Sequence, residues 1–388
     1  MRSVTFVVHD TKEPALFGAA AASIAAQNGA TVWWLVPNFP ADTHADAVQH
    51  VLRDGVLAPS GLIWAERLLG REALCLGCGD VPEPGAVIAV HPDWGGSGSV
   101  LVDLTNRLVG AGFSVKQVIV REDGAKLLND DGATVAWRDR YGRILTAPFE
   151  DPAEPSLRIG LAGTPKQMLH TCPAPLAALG DALEAAGLCA DLCFLDPTDQ
   201  SDASFDGLDG LLMPGGAEMA PVEGQIQFAD RALAAGLPML GLCLGMQSMA
   251  TAAARHLPGW QDASLAEARP DAPCFSFQLV PGGKHRLGPR RIKAQQGSHL
   301  SRLLDGEVEI MANHRYRLAP ELIEALPNVG LRVSAVEACG TAAAIEGAGF
   351  HIGFQGHPEQ SSRRHAPNAV FAAFVTAMKS DGGSQPSF

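Results

Sequence analysis

The stretch Leu237-Pro-Met-Leu-Gly-Leu-Cys243-Leu-Gly-Met-Gln247 constrains this chain more than any other. An apolar run with strand character ends at Gly241, and Ser248–His256 continues as a helix, so Cys243 is placed on a tight strand-to-helix turn. A side chain displayed on such a turn has a strained backbone and needs small neighbours, here Gly241 and Gly245. The following helix N-terminus favours thiolate over thiol. Taken alone, Cys243 reads as an ordinary small buried residue.

Two further segments bear on the choice. Gly207–Met213 is an apolar strand that runs into Pro214-Gly215-Gly216, where glycines let backbone N–H groups face a developing oxyanion. Far downstream, Phe350–Gln355 reads as a strand leading into His357-Pro358-Glu359. Alternation along a strand would turn His357 and Glu359 to one face, as a base and its orienting acid require. Cys243, His357 and Glu359 gathered at strand ends would make a thiol triad.

With these segments residues 157–380 resemble the class I glutamine amidotransferase family, and within it the glutaminase half of CTP synthase. The family's PGGFGxRGVEG stands here as Pro214-Gly215-Gly216-Ala-Glu-Met-Ala-Pro-Val222-Glu223-Gly224, and its GICLGMQ as Gly241–Gln247. MRLG corresponds to His285-Arg286-Leu287-Gly288, HRYEVNP to His314–Pro320, and VQFHPEFxSR to Phe354–Arg363. The resemblance implies a flavodoxin-like, mainly parallel α/β domain. It implies Cys243 as nucleophile toward the glutamine side-chain amide, His357 as general base and acid, and Glu359 as the acid that orients it. It implies an oxyanion hole from the N–H groups of Gly216 and Leu244, with Gln247, Glu267 and Arg315 holding the bound glutamine. A zwitterionic amino acid needs one acid and one cation on opposite sides, and arginine offers a bidentate fork. Other readings stay open: a catalytically silent binding or regulatory protein on the same fold, or a free-standing γ-glutamyl hydrolase.

Before this domain, residues 1–150 read as a smaller α/β domain of unassigned function. Strands are expected at Val4–Val8, Thr31–Val36, Ala86–Val90 and Ser114–Val120. Helices are expected at Pro14–Asn28, Ala45–Leu52, Leu62–Leu69 and Val100–Val109. The Pro- and acid-rich stretch 148–156 marks the boundary. Beyond it, Leu157–Ala162 and Cys189–Leu195 read as strands, and Ala174–Ala186 as a helix. The loop Gly95-Gly96-Ser97-Gly98-Ser99 has a strand–loop–helix setting suited to phosphate but lacks a lysine, and G-x-x-x-x-G-K-[ST] occurs nowhere. The synthetase half of CTP synthase therefore has no expected counterpart, and a separate synthetase subunit could supply the ammonia acceptor. Acceptor and oligomeric state, including a homo-oligomer, stay open, as does use of ATP and Mg; the glutaminase domain itself is expected to need no cofactor.

Three departures stand inside the family motifs. Ala217-Glu218-Met219-Ala220-Pro221 replaces Phe-Gly-x-Arg-Gly, which makes GTP activation doubtful. Gly356 replaces a Phe, which predicts a wider cleft beside His357, and Gln360 replaces an aromatic.

Composition excludes other classes. With 29 Lys and Arg against 42 Asp and Glu, a net charge of −13 and no basic stripe, a nucleic-acid partner is not expected. No apolar run approaches the roughly 20 residues of a membrane span, and the N-terminus lacks a signal-peptide pattern, so a cytoplasmic protein is expected. The 8 cysteines follow no disulfide framework. Cys75-Leu-Gly-Cys78 is a lone C-x-x-C, read as structural, and no metal site is expected.

Overall fold

The computed structural model describes residues 2–379 apart from 38, 41–43, 78, 97–98, 151, 153 and 200–203. The chain divides into two compact units. The first comprises the chain up to Glu150, without Arg53–Val56, together with Lys166–Ala177; the second comprises Arg53–Val56 and the remainder.

In the first unit the strands are Arg2–His9 (β1), Val32–Trp34 (β2), His50–Val51 (β3), Leu57–Ala58 (β4), Leu74–Cys75 (β5), Val87–Val90 (β6), Phe113–Asp123 (β7), Lys126–Asn129 (β8), Thr134–Arg138 (β9) and Ile144–Leu145 (β10). Its helices are Ala19–Asn28 (α1), Ile63–Leu69 (α2), Pro92–Gly96 (α3) and Ser99–Gly110 (α4). One sheet has the order β10-β9-β8-β7-β1-β6-β2-β5. The pairs β7–β1, β1–β6, β6–β2 and β2–β5 are parallel, and the hairpins β7 to β10 extend the sheet antiparallel. The alternation in β1 explains its two buried faces. Val7 joins a core with the alanines of α1, whereas Val4, Phe6 and Val8 join the opposite core with Leu101, Leu104 and Leu108 of α4.

Two local expectations change. The helix read across Pro14–Asn28 is broken at Gly18, whose φ of 83° ends a short 3-10 turn at Pro14–Leu16 before α1 starts. The helix expected over Ala45–Leu52 does not form. That stretch is turns ending in β3, which pairs antiparallel with β4, and His50 Nε2 lies 2.5 Å from Glu66 Oε1 of α2. Buried pairing of His50 overrides the weak helical propensity of the alanines.

The second unit has strands Leu157–Leu161 (β11), Ala190–Phe194 (β12), Gly210–Met213 (β13), Met239–Leu242 (β14), Ser264–Leu265 (β15), Phe275–Leu279 (β16), Arg286–Ala294 (β17), Glu307–His314 (β18), Tyr316–Leu318 (β19), Leu331–Glu337 (β20), Ala342–Gly347 (β21) and His351–Phe354 (β22). Its helices include Val222–Ala235 (α5), Leu244–Ala254 (α6) and Ala369–Lys379 (α7). The main sheet runs β12-β11-β13-β14-β22-β21-β20-β17-β18. Strands β12 to β22 of that order are parallel neighbours, and β21, β20, β17 and β18 follow antiparallel. The central strands β13 and β14 read as continuous apolar runs because both faces are covered. α5 and α6 pack one face around Phe228, Met246 and Met249, and Phe371 and Phe374 of α7 are fully buried. A small sheet, β15-β16-β19, lies beside α6. The seven cysteines described are all free thiols.

Candidate active site

Three loops leave the carboxyl ends of the adjacent parallel strands β13, β14 and β22, the end of an open α/β sheet where ligands bind. They carry Gly215 and Gly216, then Cys243, then Gln355 to Glu359. Cys243 has φ 49° and ψ −105° and is the only non-glycine with positive φ among the described residues. Such a conformation costs on the order of 1–3 kcal/mol, which the surroundings must supply. The Cys243 N–H donates to the Phe354 carbonyl at 2.7 Å, and its own carbonyl accepts from the Gln247 N–H at 3.1 Å. Glycine is demanded next door: a Cβ on Gly245 would stand 2.3 Å from the Met213 carbonyl oxygen.

The Cys243 sulfur lies 3.8 Å from the Asn313 carbonyl oxygen and 3.9 Å from Gln355 Nε2. Buried Gln247 reaches the same group, its Nε2 being 3.5 Å from Gln355 Oε1. His357 Nδ1 and Glu359 Oε1 are 2.7 Å apart, both side chains nearly enclosed. Since a carboxylate only accepts, Nδ1 carries the hydrogen and Nε2 is left for Cys243. His357 Nε2 is buried without a conventional hydrogen-bond partner, with the sulfur close enough to act on its charge. Burial works against a charged His357. The Glu359 carboxylate and the Cys243 sulfur outweigh it and hold the imidazole pKa well above its ordinary value.

Alternation along a strand is not what brings His357 and Glu359 together. β22 ends at Phe354, His357 has φ −120° and ψ 74°, and Pro358–Ser361 is a single 3-10 turn that carries Glu359 back to the ring. Nor does Gly356 widen the cleft. A Cβ there would stand 2.7 Å from the Met311 carbonyl oxygen and 2.9 Å from Ile310 Cδ1, so β18 fills the space that a larger residue would claim. The His357 N–H donates to that same Met311 carbonyl at 2.8 Å. Gln360 is buried, and its carbonyl accepts from Arg363 Nη1 at 2.7 Å.

The glycine loop approaches nucleophile and base together. A Cβ on Gly215 would lie 3.3 Å from Cys243 Cβ and 3.4 Å from His357 Cε1. Gly216 follows, half-buried, and Leu244 opens α6, where the first N–H groups have no intrahelical acceptor. Beyond this loop Met219 packs on the core ahead of α5. Glu267 and Arg315 are neighbours: partial burial raises the Glu267 carboxyl above its ordinary value while the Arg315 guanidinium pulls it down. Arg315 follows His314 and Asn313 at the end of β18, and its carbonyl accepts from Val280 N–H at 2.8 Å. His314 is buried, which pushes its pKa down to about 4, and its Nδ1 donates to the Tyr316 carbonyl at 2.8 Å.

Gln355 and Asn313 were not singled out by sequence reasoning. Gln355 lies inside the Phe354–Arg363 motif, two before His357, and Asn313 directly precedes the His314–Pro320 motif; that placement is the signal that could have found them. The glycine loop 95–99 belongs to the first unit. Gly95 and Gly96 end α3 and Ser99 opens α4, while Ser97 and Gly98 lie outside the described residues. Cys75 is exposed on β5, and Cys78 also lies outside the described residues. Among the described residues no three His, Cys, Asp or Glu side chains are placed to hold a metal, and no helix is long and apolar enough to cross a membrane.

Known proteins resemble part of this chain. The family model described as glutamine amidotransferase class-I matches residues 180–377. CTP synthase of Deinococcus radiodurans is 34% identical over 201 residues, covering 45% of this chain and 36% of that protein. CTP synthase of Thermus thermophilus is 32% identical over 268 residues, covering 62% of this chain and 46% of that protein. The chain thus spans less than half the length of these relatives. Among solved structures, the glutaminase domain of Trypanosoma brucei CTPS, with bound acivicin, aligns with a TM-score of 0.54 at 23% identity, over 57% of this chain and 94% of that domain.

Proposed function

We propose, from the premise that this chain belongs to the glutamine amidotransferase class-I family, that it is a glutaminase that releases ammonia from L-glutamine. Cys243 Sγ attacks the side-chain amide carbon while the N–H groups of Gly216 and Leu244 receive the developing oxyanion. His357 gives a proton to the departing ammonia, and a γ-glutamyl thioester is left on Cys243. Water, deprotonated by His357, then attacks the thioester, and glutamate and the Cys243 sulfur are released. Glu359 holds the ring tautomer throughout. Glu267 takes the α-ammonium of glutamine, Arg315 its α-carboxylate, and Gln247 lies along the side chain.

The observation that carries this reading is the strained Cys243 turn facing a His357 whose other nitrogen is bound 2.7 Å from Glu359. A merely structural cysteine gives no reason for the positive φ. The ammonia passes to an acceptor held by this chain or by a separate synthetase subunit, and likeness to CTP synthase favours a pyrimidine or nucleotide-like acceptor. Ammonia release from L-glutamine by purified protein, beside Cys243→Ala, tests the glutaminase step. Wild-type protein that neither releases ammonia nor is labelled at Cys243 by a glutamine-mimicking electrophile, with candidate acceptors present, would leave a silent binding protein as the answer.

A further inference from the structure

Pro358–Ser361, the turn that carries Glu359 to His357, is anchored to a distant part of the second unit. Ser362 follows the turn and is fully buried, as is Asp181 on the helix Ala174–Ala185. The Ser362 hydroxyl donates to Asp181 Oδ2 at 2.9 Å and accepts the Asn368 N–H at 3.2 Å, so its single hydrogen is committed to the carboxylate. The Ser362 N–H in turn donates to the Glu359 carbonyl at 3.2 Å. Ser362 is the serine of the Phe354–Arg363 motif, whereas Asp181 lies outside the motifs that carry the family resemblance.

By composition Asp181 is out of place. It stands in the run Ala-Pro-Leu-Ala-Ala-Leu-Gly-Asp-Ala-Leu-Glu-Ala, beside the buried Leu179, Ala182 and Leu183. An enclosed carboxylate costs free energy unless it is hydrogen-bonded, and alanine is the better helix former. The bond to Ser362 supplies a reason for an acid here. The Glu359 carboxylate, for its part, takes its direction from the backbone beneath it. Oε1 meets His357 Nδ1 at 2.7 Å, but Oε2 is buried with no hydrogen-bond partner to aim it. Ring and acid are thus held from two places: the His357 N–H on Met311 of β18, and the Glu359 carbonyl through Ser362 on Asp181.

We infer that Asp181 and Ser362 form a buried clamp that aims the Glu359 carboxylate at His357, which makes both of them positioning residues for the proposed glutaminase. Its consequence for turnover rests on that reading of the site, whereas the clamp itself is read from the proton between His357 and Glu359. A neighbouring contact separates aiming from mere docking of the helix. Glu184, one turn beyond Asp181 and partly exposed, receives Arg364 Nε at 2.9 Å. Glu184→Gln loosens the same helix while leaving the Ser362–Asp181 bond in place.

Proton NMR of the full chain tests the clamp. A proton shared between an imidazole Nδ1 and a carboxylate resonates far downfield, and its absence from His357→Phe assigns it. In Ser362→Ala this signal should move upfield or broaden. The kcat for ammonia release should fall about tenfold or more, with KM for glutamine within about twofold, since Gln247, Glu267 and Arg315 are untouched. The alkaline limb of the rate profile should move to lower pH, because Glu359 and Cys243 are the groups that raise the His357 pKa. Buried His314, also close enough to act on the ring, is the same in both proteins. Asp181→Ala should match Ser362→Ala, and the double variant should be no worse than either, because one bond is lost in all three. Glu184→Gln should keep the wild-type signal and kcat. The clamp is overturned if Ser362→Ala keeps the wild-type signal and limb, if the two losses add in the double variant, or if Glu184→Gln does equal damage. Should Asp181→Ala not fold, Ser362→Ala decides alone. Wild-type protein that releases no ammonia would sink the glutaminase reading, and the downfield signal would still decide on the clamp.

Discussion

Gly356 lies so close to Met311 that a Cβ on it would stand 2.7 Å from the Met311 carbonyl oxygen, the same oxygen that accepts the His357 N–H at 2.8 Å. Backbone cannot yield as a side-chain tip can, so Gly356→Ala must push β18 from the catalytic loop. The expected outcome is a drop of about tenfold or more in glutaminase kcat, with destabilisation on the order of 1–3 kcal/mol from overpacking. Steady-state kinetics together with urea unfolding check both.

Glu359 sets the charge of His357. Replacing its carboxylate in Glu359→Gln removes a group that raises the imidazole pKa, leaving burial to pull it down. The imidazolium is present below the folded pKa and lost as pH rises through it. The alkaline limb of the rate profile should therefore move to lower pH, and kcat should fall about 10²–10⁴-fold. Rate–pH profiles of both proteins decide it, and an unmoved limb would remove Glu359 from this role.

Gln355 bridges Gln247 to the Cys243 sulfur from a buried position. Gln355→Leu keeps the volume but leaves Gln247 without that partner. KM for glutamine should rise several-fold more than kcat falls, because the glutamine contact proposed for Gln247 loses its support, whereas the triad loses only the 3.9 Å contact to the Cys243 sulfur and keeps the His357–Glu359 pair. Equal changes in the two constants would contradict a positioning role.

Two buried histidines make the fold acid-sensitive. Burial pushes His9 and His314 each down to about 4. The unfolded chain binds protons near pH 6.5 and the folded chain does not, so stability falls as pH drops from about 6.5 toward 4. The loss is at most about 3 kcal/mol for each histidine. Urea midpoints at pH 7 and pH 5 measure it, and His314→Gln should flatten the dependence.

Much of the second unit was legible because its motifs are local. The apolar runs at β13 and β14 are buried parallel strands, as their composition requires, and the Gly-Leu-Cys-Leu-Gly turn fixes where Cys243 stands. What sequence could not carry was distance across the fold. Gly356 reads as an absence until β18 is seen filling it, and His357 reaches Glu359 through a turn where alternation in a strand had been expected. The first unit was harder. Ala45–Leu52 has helical composition, yet His50 is claimed by Glu66, sixteen residues on.

β18 is the last strand in its sheet order, and it is also the strand that holds the backbone of His357. Edge elements open at lower free energy than central ones. The activity proposed for this molecule should therefore report local fraying: in rising denaturant, turnover should vanish while the central strands still protect their amides from exchange. Inactivation and unfolding become two separate transitions, with the margin between them set by how firmly one peripheral strand clings to its neighbour.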